Sequence, residues 1–242
     1  GSNPHRPSTV PFGEPGVYDS DTILRMERLP RSLTIVGGGA IGCEYACLFK
    51  VLGLDEVRVI HSDERILPFA DEEISGMLRE AMESLGVAFH TPDSVERVEA
   101  GPALTLHLRS GKHLEAEALL VALGRRGNVA ALGLENAGVR LNEQGQLLVN
   151  EHFQTNVPHI YAAGDVIGGH ALASTAMEEA RMAMVHAFDL KYKSGVSPFL
   201  PIGVWTIPEI SMVGETEQRL RAKGVAHVVG RWRYDANPRG ML

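Results

Sequence analysis

The run Leu33-Thr34-Ile35-Val36-Gly37-Gly38-Gly39-Ala40-Ile41-Gly42 constrains the folding of this chain more than any other segment. Leu33 to Val36 are apolar or β-branched without a charged break, the pattern of a buried strand. The strand ends in a turn that satisfies G-x-G-x-x-G, with Gly37, Gly39 and Gly42 in the three required places. The first glycine permits a tight exit from the strand. The second lets a pyrophosphate approach the backbone, and the third lets helix and strand pack closely. Ala40 to Leu52 follows with Ile41, Tyr45, Leu48, Phe49 and Leu52 at helical spacing, and Gly53 is placed to end the helix. The opening of that helix presents free N–H groups and a positive dipole end to phosphates. Gly37, Gly38, Gly39, Ala40, Ile41 and Gly42 are therefore candidate contacts for a dinucleotide.

The flanking pattern supplies the context this motif needs. Val57 to Ile60 reads as a second strand, and Glu72 to Leu85 as an amphipathic helix with Ile74, Met77, Leu78, Met82 and Leu85 on one face. Val87 to His90 reads as a third strand. Two successive strand–helix–strand crossovers imply a parallel sheet. Ser94 to Glu99, Leu104 to Leu108 and Lys112 to Ala116 are then separated by Ala100-Gly101-Pro102 and Ser110-Gly111, which predicts an antiparallel meander. Ala118 to Leu123 is expected to return to the parallel sheet. Upstream, Gly1 to Pro15 reads as an extended arm, and Thr22 to Arg28 as a short helix capped by Asp19-Ser20-Asp21. Downstream, Pro158 to Ala163 reads as a buried strand leading to Gly164-Asp165. Ala171 to Tyr192 reads as a helix burying Met177, Ala180, Met184 and Phe188. Val204 to Ile207 and Ile210 to Val213 read as strands, and Glu217 to Lys223 as a helix.

Charge and composition exclude other classes. With 23 basic and 30 acidic residues the net charge is −7, which argues against a nucleic-acid partner. No apolar run reaches the roughly 18 residues of a membrane span. Two cysteines are too few for a disulfide scaffold and point to a reducing, cytoplasmic setting. Cys43 and Cys47 stand at i, i+4 on one helix face and read as small buried hydrophobes rather than a metal or redox pair. His152, His159, His170 and His186 have no ligand spacing, and no metal is expected.

The position that reads the adenosine ribose is expected about 20 residues after the glycine turn, at His61. An acid there would select NAD and an arginine NADP; His61 is neither. Ser62, Asp63, Glu64 and Arg65 follow, so both cofactors remain open, with His61, Ser62 and Arg65 as candidate contacts. Glu44, placed in the first turn of the helix, is a candidate contact for the nicotinamide. Gly164 and Asp165, ahead of a small-residue helix start that includes Ala173, are placed to accept a hydrogen bond from a ligand hydroxyl. No residue is assigned a certain catalytic role.

Four segments in order carry a resemblance: Gly37 to Ala46 (G-G-G-A-I-G-C-E-Y-A), Ala122 to Arg125 (A-L-G-R), Ile160 to Asp165 (I-Y-A-A-G-D) and Thr206 to Glu217 (T-I-P-E-I-S-M-V-G-E-T-E). Together they resemble the flavin-dependent pyridine nucleotide–disulfide oxidoreductases, and within them most nearly the soluble, Si-specific pyridine nucleotide transhydrogenases. The resemblance implies an α/β fold. A Rossmann-like NAD(P)-binding domain, built of a parallel sheet plus an antiparallel β-meander, would span 22–149 behind a connecting arm at 1–21. Part of an FAD domain would follow at 150–193, and the start of an α+β dimerisation domain at 197–242. It further implies NAD or NADP and FAD as cofactors, Gly124 and Arg125 beside Glu44 near the nicotinamide–flavin junction, and Asp165 on the ribityl chain. A homodimer would be the working form. The implied reaction passes hydride from NADPH to NAD through flavin. The alternatives are a dihydrolipoamide dehydrogenase-type disulfide oxidoreductase or, for this chain alone, a non-catalytic NAD(P)-binding module. The family's first FAD-binding glycine motif, its C-x-x-x-x-C dithiol and its His-Pro-Thr segment are not present, so the chain resembles the central piece of a longer protein.

Overall fold

In the computed structural model, which describes residues 1–238 and 240, the apolar run becomes the middle strand of a five-stranded parallel sheet. The chain begins with β1 (Ser2–Pro4), β2 (Val17–Asp19), a single 3₁₀ turn (Ile23–Arg25) and β3 (Ser32–Val36). It continues through α1 (Ala40–Val51), β4 (Glu56–Ile60), α2 (Glu72–Leu85) and β5 (Val87–His90). A meander of β6 (Val95–Glu99), β7 (Leu104–Leu108) and β8 (His113–Ala116) leads to β9 (Ala118–Val121) and β10 (Arg125–Gly127). Then come α3 (Leu134–Ala137), a second 3₁₀ turn (Gly164–Ile167), α4 (Ala173–Ala187), β11 (Ile202–Val204), β12 (Ile210–Met212), α5 (Glu217–Ala222) and a last 3₁₀ turn (Tyr234–Ala236).

The parallel sheet runs β2-β9-β3-β4-β5, and the meander β6-β7-β8 is antiparallel, as the turn signals predict. Strand periodicity divides the core. Leu33, Ile35, Val57, Val59 and Leu120 face α1 and α2, whereas Val36, Ile60, Leu119 and Val121 face the meander's Leu104, Leu106 and Leu108. The sheet is thus covered on both faces, which is why its strands read as unbroken apolar runs. α2 is bounded as expected: the Asp71 carboxylate accepts from the Glu73 N–H, and Gly86, at φ 98°, closes the last turn.

Several expectations are corrected. The stretch read as a connecting arm is built into the fold. Val17–Asp19 is the edge strand beside β9, and Ser2–Pro4 pairs antiparallel with Arg125–Gly127. Thr22 to Arg28 yields only the Ile23–Arg25 turn. Pro158 to Ala163 forms no strand; a lone bridge joins Gln154 to Tyr161. α4 is shorter than its apolar run, and the residues expected to be buried, Met177, Ala180, Met184 and Phe188, are exposed. Its buried side is Thr175, Met182, Ala183 and Val185. α1 buries Cys43 and Cys47 as expected, with Gly42, Ala46 and Phe49, while Leu48, Val51 and Leu52 of its apolar run face outward. The large apolar residues marked the wrong stripe because close packing selects volume as well as hydropathy.

Asp19 holds the arm to the sheet. Its buried carboxylate accepts a hydrogen bond from the Arg6 guanidinium at 2.6 Å and further bonds from the N–H groups of Asp21 and Thr22. Burial raises the carboxyl's pKa, but the bonds from Thr22, Arg6 and Asp21 outweigh it and hold the group below the ordinary aspartate range. A depressed folded-state pKa contributes stability above the unfolded value, about 4. That stability is lost as pH falls through the folded value. Asp19→Asn should therefore lower unfolding free energy at pH 7 by about 1–3 kcal/mol. In urea titrations the gap from wild type should close below about pH 4.

Candidate functional site

β3 and β9 are neighbours, yet from β3 the chain first leaves toward β4 and reaches β9 only after the meander. The crevice beyond their carboxyl ends is the topological switch point where open α/β sheets bind ligands. Gly37, at φ 119°, turns there; its N–H donates to the Ile60 carbonyl, and a Cβ would lie 2.3 Å from the Ala122 oxygen. A Cβ on Gly42 would lie 1.9 Å from the Gly37 oxygen, so helix and strand require both glycines. Gly38 is closed by the His61 ring, 2.8 Å from where its Cβ would be. Gly39 differs: nothing lies within 4 Å of a Cβ there. It is the N-cap of α1, with no side-chain cap and no acid in the first turn behind it, so Ala40 and Ile41 begin a helix whose end is open to an anion. The residues fit a bound pyrophosphate.

At the end of β4, His61 donates its N–H to the His90 carbonyl, and its own carbonyl accepts from Asp93. Its Nε2 is buried without a hydrogen bond, 3.7 Å from the Asp63 carboxylate. Arg65 does not face a ribose position: its guanidinium donates to the Pro68 and Ala70 carbonyls and shapes its own loop. Ser62 is exposed and lines a polar cavity of about 310 Å³ with Pro92, Asp93, Ser94, Arg109 and Ser110. The last five were not read from the sequence. They lie beyond β5 and in the β7–β8 turn, with no motif to mark them.

The remaining candidates gather on two further links. Glu44 lies beyond the first turn of α1, and its Oε1 accepts the Trp205 N–H at 2.8 Å, so its partner is the segment after β11 rather than the helix dipole. Gly124, at φ 88°, is open to solvent and precedes Arg125. Arg125 donates to Ser2, Ser20 and Asp21. The Ser2 hydroxyl donates to the Asp165 Oδ2 at 2.6 Å. Gly164, at φ 79°, donates its N–H to Glu179. Ala173 opens α4, whose first turn carries no acid and no side-chain cap. A carboxylate already accepting from a hydroxyl fits the polyhydroxyl chain of a flavin, and the residues fit one edge of such a site.

Cys43 and Cys47 are 0% and 1% exposed. Cys43 donates to the Gly38 carbonyl, and burial pushes its thiol up to about 12. Burial raises Cys47 as well, against a bond from the Ile207 N–H. At pH 8 a thiol with Cys43's pKa is ionised in about one molecule in ten thousand. Ellman's reagent should therefore leave both thiols unmodified in the folded chain and titrate both in guanidinium. No group of side chains able to hold a metal occurs among the described residues, nor a helix long and apolar enough to cross a membrane.

Comparisons with known proteins find relatives along nearly the whole chain. The soluble pyridine nucleotide transhydrogenase of Marinomonas sp. (strain MWYL1) is 45% identical over 234 residues, 96% of this chain and 50% of that protein. Its counterpart from Salmonella paratyphi C is 43% identical over 233 residues. The chain spans about half the length of these curated relatives. Among solved structures, the HOCl-induced flavoprotein disulfide reductase RclA from Escherichia coli superposes at TM-score 0.91 with 30% identity, covering 100% of this chain and 56% of that one. LpdA from Mycobacterium tuberculosis superposes at 0.85 with 30% identity, covering 93% of this chain and 49% of that one. The family profile described as pyridine nucleotide-disulphide oxidoreductase matches residues 1–180, and the chain belongs to that family.

Proposed function

We propose that this chain binds a nicotinamide dinucleotide at Gly37–Gly42 and supplies one edge of the flavin site in an oxidoreductase of the flavoprotein disulfide-reductase type. The observation that carries the dinucleotide reading is the open Gly39 at an uncapped helix start, between two glycines that the packing itself requires. When bound, flavin supplies the ring that takes up hydride. This chain's part is to bind and orient. The glycine turn would hold the pyrophosphate, and Glu44, tied to the Trp205 backbone, would contact the nicotinamide. Asp165 accepts from a flavin hydroxyl, and Arg125 braces Ser2 beside it.

The likeness to the flavoprotein disulfide reductase RclA, over 100% of this chain and 56% of that one, supports disulfide reduction as the parent reaction. Cys43 and Cys47 do not carry that exchange. A thiolate is the attacking species, and both thiols are sealed into the face of α1 that packs on the sheet. The 45% identity to soluble transhydrogenases favours a second reading, in which NADPH delivers hydride and NAD collects it. In the flavin-loaded protein, NADPH-dependent reduction of an aromatic disulfide supports the first reading, and reduction of thio-NAD the second.

Titration calorimetry of NADH and NADPH against the 242-residue chain tests the dinucleotide site. Gly39→Ala should weaken binding of both at least tenfold, about 1.4 kcal/mol, with little change in Tm. Gly42→Ala should lower Tm as well, since its Cβ collides with the Gly37 carbonyl. Unaltered binding by Gly39→Ala would overturn the assignment.

A further inference from the structure

The cavity beside β4 is reached from the ribose-reading end of the site by a short ladder of hydrogen bonds. The Asp93 N–H donates to the His61 carbonyl at 2.8 Å, extending the β4–β5 pairing. Asp93 then accepts from the Ser94 N–H, the Ser110 N–H and the Ser110 hydroxyl. The Arg109 N–H donates to the Ser94 carbonyl. Arg109, on the turn of the meander, is thereby brought to the same cavity as Ser62, the residue after His61.

The donors and acceptors of this cavity are out of balance. Reading a ribose 2′-hydroxyl, as an NAD site does, needs a carboxylate with free acceptor positions. Asp93 has three of its roughly four positions filled. Burial raises its pKa, but those bonds outweigh it and keep the group ionised, with Lys112 adding to the effect. The arginines around the same edge differ. Arg65 is spent on the Pro68 and Ala70 carbonyls, and Arg79 on Glu83, the Glu64 carbonyl and Thr91. The Arg109 side chain makes no hydrogen bond or ion pair among the described residues. Arg109 is thus the charged group of this cavity whose side-chain donors are all unspent, and a planar guanidinium matches the paired oxygens of a phosphate monoester.

We propose that this cavity receives the 2′-phosphate of NADP(H), with Arg109 as the cation that reads it and Ser62 as a hydroxyl beside it, so that the chain prefers NADPH to NADH. The proposal deepens the dinucleotide reading of the glycine turn and rests on it. It moves the cofactor-selecting cation from the loop after β4, where sequence spacing places Arg65, to the meander packed against the sheet.

The experiment is a fluorescence titration of the 242-residue chain with NADPH and with NADH, for wild type, Arg109→Gln, Arg109→Lys and Arg65→Gln. NADPH should bind at least tenfold tighter than NADH in wild type. Arg109→Gln should cut that ratio about tenfold, Arg109→Lys should restore part of it, and Arg65→Gln should leave the ratio as in wild type. Adenosine 2′-phosphate should displace NADPH at concentrations where inorganic phosphate does not, which separates a dinucleotide subsite from a general anion site. Arg109 is exposed, so the variant should keep the wild-type circular dichroism. Equal affinity for the two nucleotides, or a ratio unmoved by Arg109→Gln, overturns the proposal while leaving the glycine-turn site standing. Binding of neither nucleotide overturns both.

Discussion

The backbones of Gly37, Gly42 and Ala122 meet with no room for a side chain between them, and the positions of β3, α1 and β9 follow from that contact. Because Gly42 lies against the Gly37 carbonyl, α1 starts flush with the end of β3 rather than one turn later. Because Gly37 lies against Ala122, the returning strand β9 is held beside β3 at the same level, its Ala122 N–H donating to the Val36 carbonyl. The dipole and unpaired N–H groups at the start of α1 therefore open directly above the seam between two strands. The same tight approach explains the small residues on the buried side of α1. Gly42, Cys43, Ala46 and Cys47 let the helix lie close to Ile35 and Leu120, and the thiols serve there as compact apolar groups.

Around this seam the site is assembled from stretches far apart in sequence. Glu44 joins α1 to Trp205, and Arg125 joins the end of the parallel sheet to Ser2 and Asp21. Ser2 in turn reaches Asp165. Each link is a charged group on a backbone N–H, a carbonyl, a hydroxyl or an opposite charge, the stronger class of hydrogen bond. Such links give precise placement at modest cost because each partner is also held by its own strand or helix. The β1–β10 pairing holds Ser2 and Arg125 in register, and β11–β12 holds the entry to Trp205.

Much of this was legible. Strands bounded by glycine turns, the crossover helix α2 between Asp71 and Gly86, and the meander between Ser94 and Ala116 follow from local rules of periodicity and turn chemistry. The glycine motif marked the turn where Gly37 and Gly42 allow close packing and Gly39 stays open. The large apolar residues of α1 and α4 misled because apolar spacing is symmetric between a stripe that packs and one that does not. Met177, Met184 and Phe188 stand outward, and only the identity of the neighbouring layer could have said so. Pro158 to Ala163 has the composition of a strand but no partner edge to pair with beyond the bridge at Gln154 and Tyr161.

What the sequence determined by itself is the class of fold and the location of the glycine turn, because both are written in local periodicity and in the absence of side chains at Gly37 and Gly42. Tertiary structure alone decided which charged groups are free. Arg65, beside the ribose position in sequence, is consumed by carbonyls three and five residues away, whereas Arg109, some fifty residues from Ser62, shares its cavity with an unpaired guanidinium. Hydrogen-bond capacity is finite for each group. Which partners exhaust it depends on the register of β4 against β5 and of β5's extension against the meander, and no local pattern encodes that pairing.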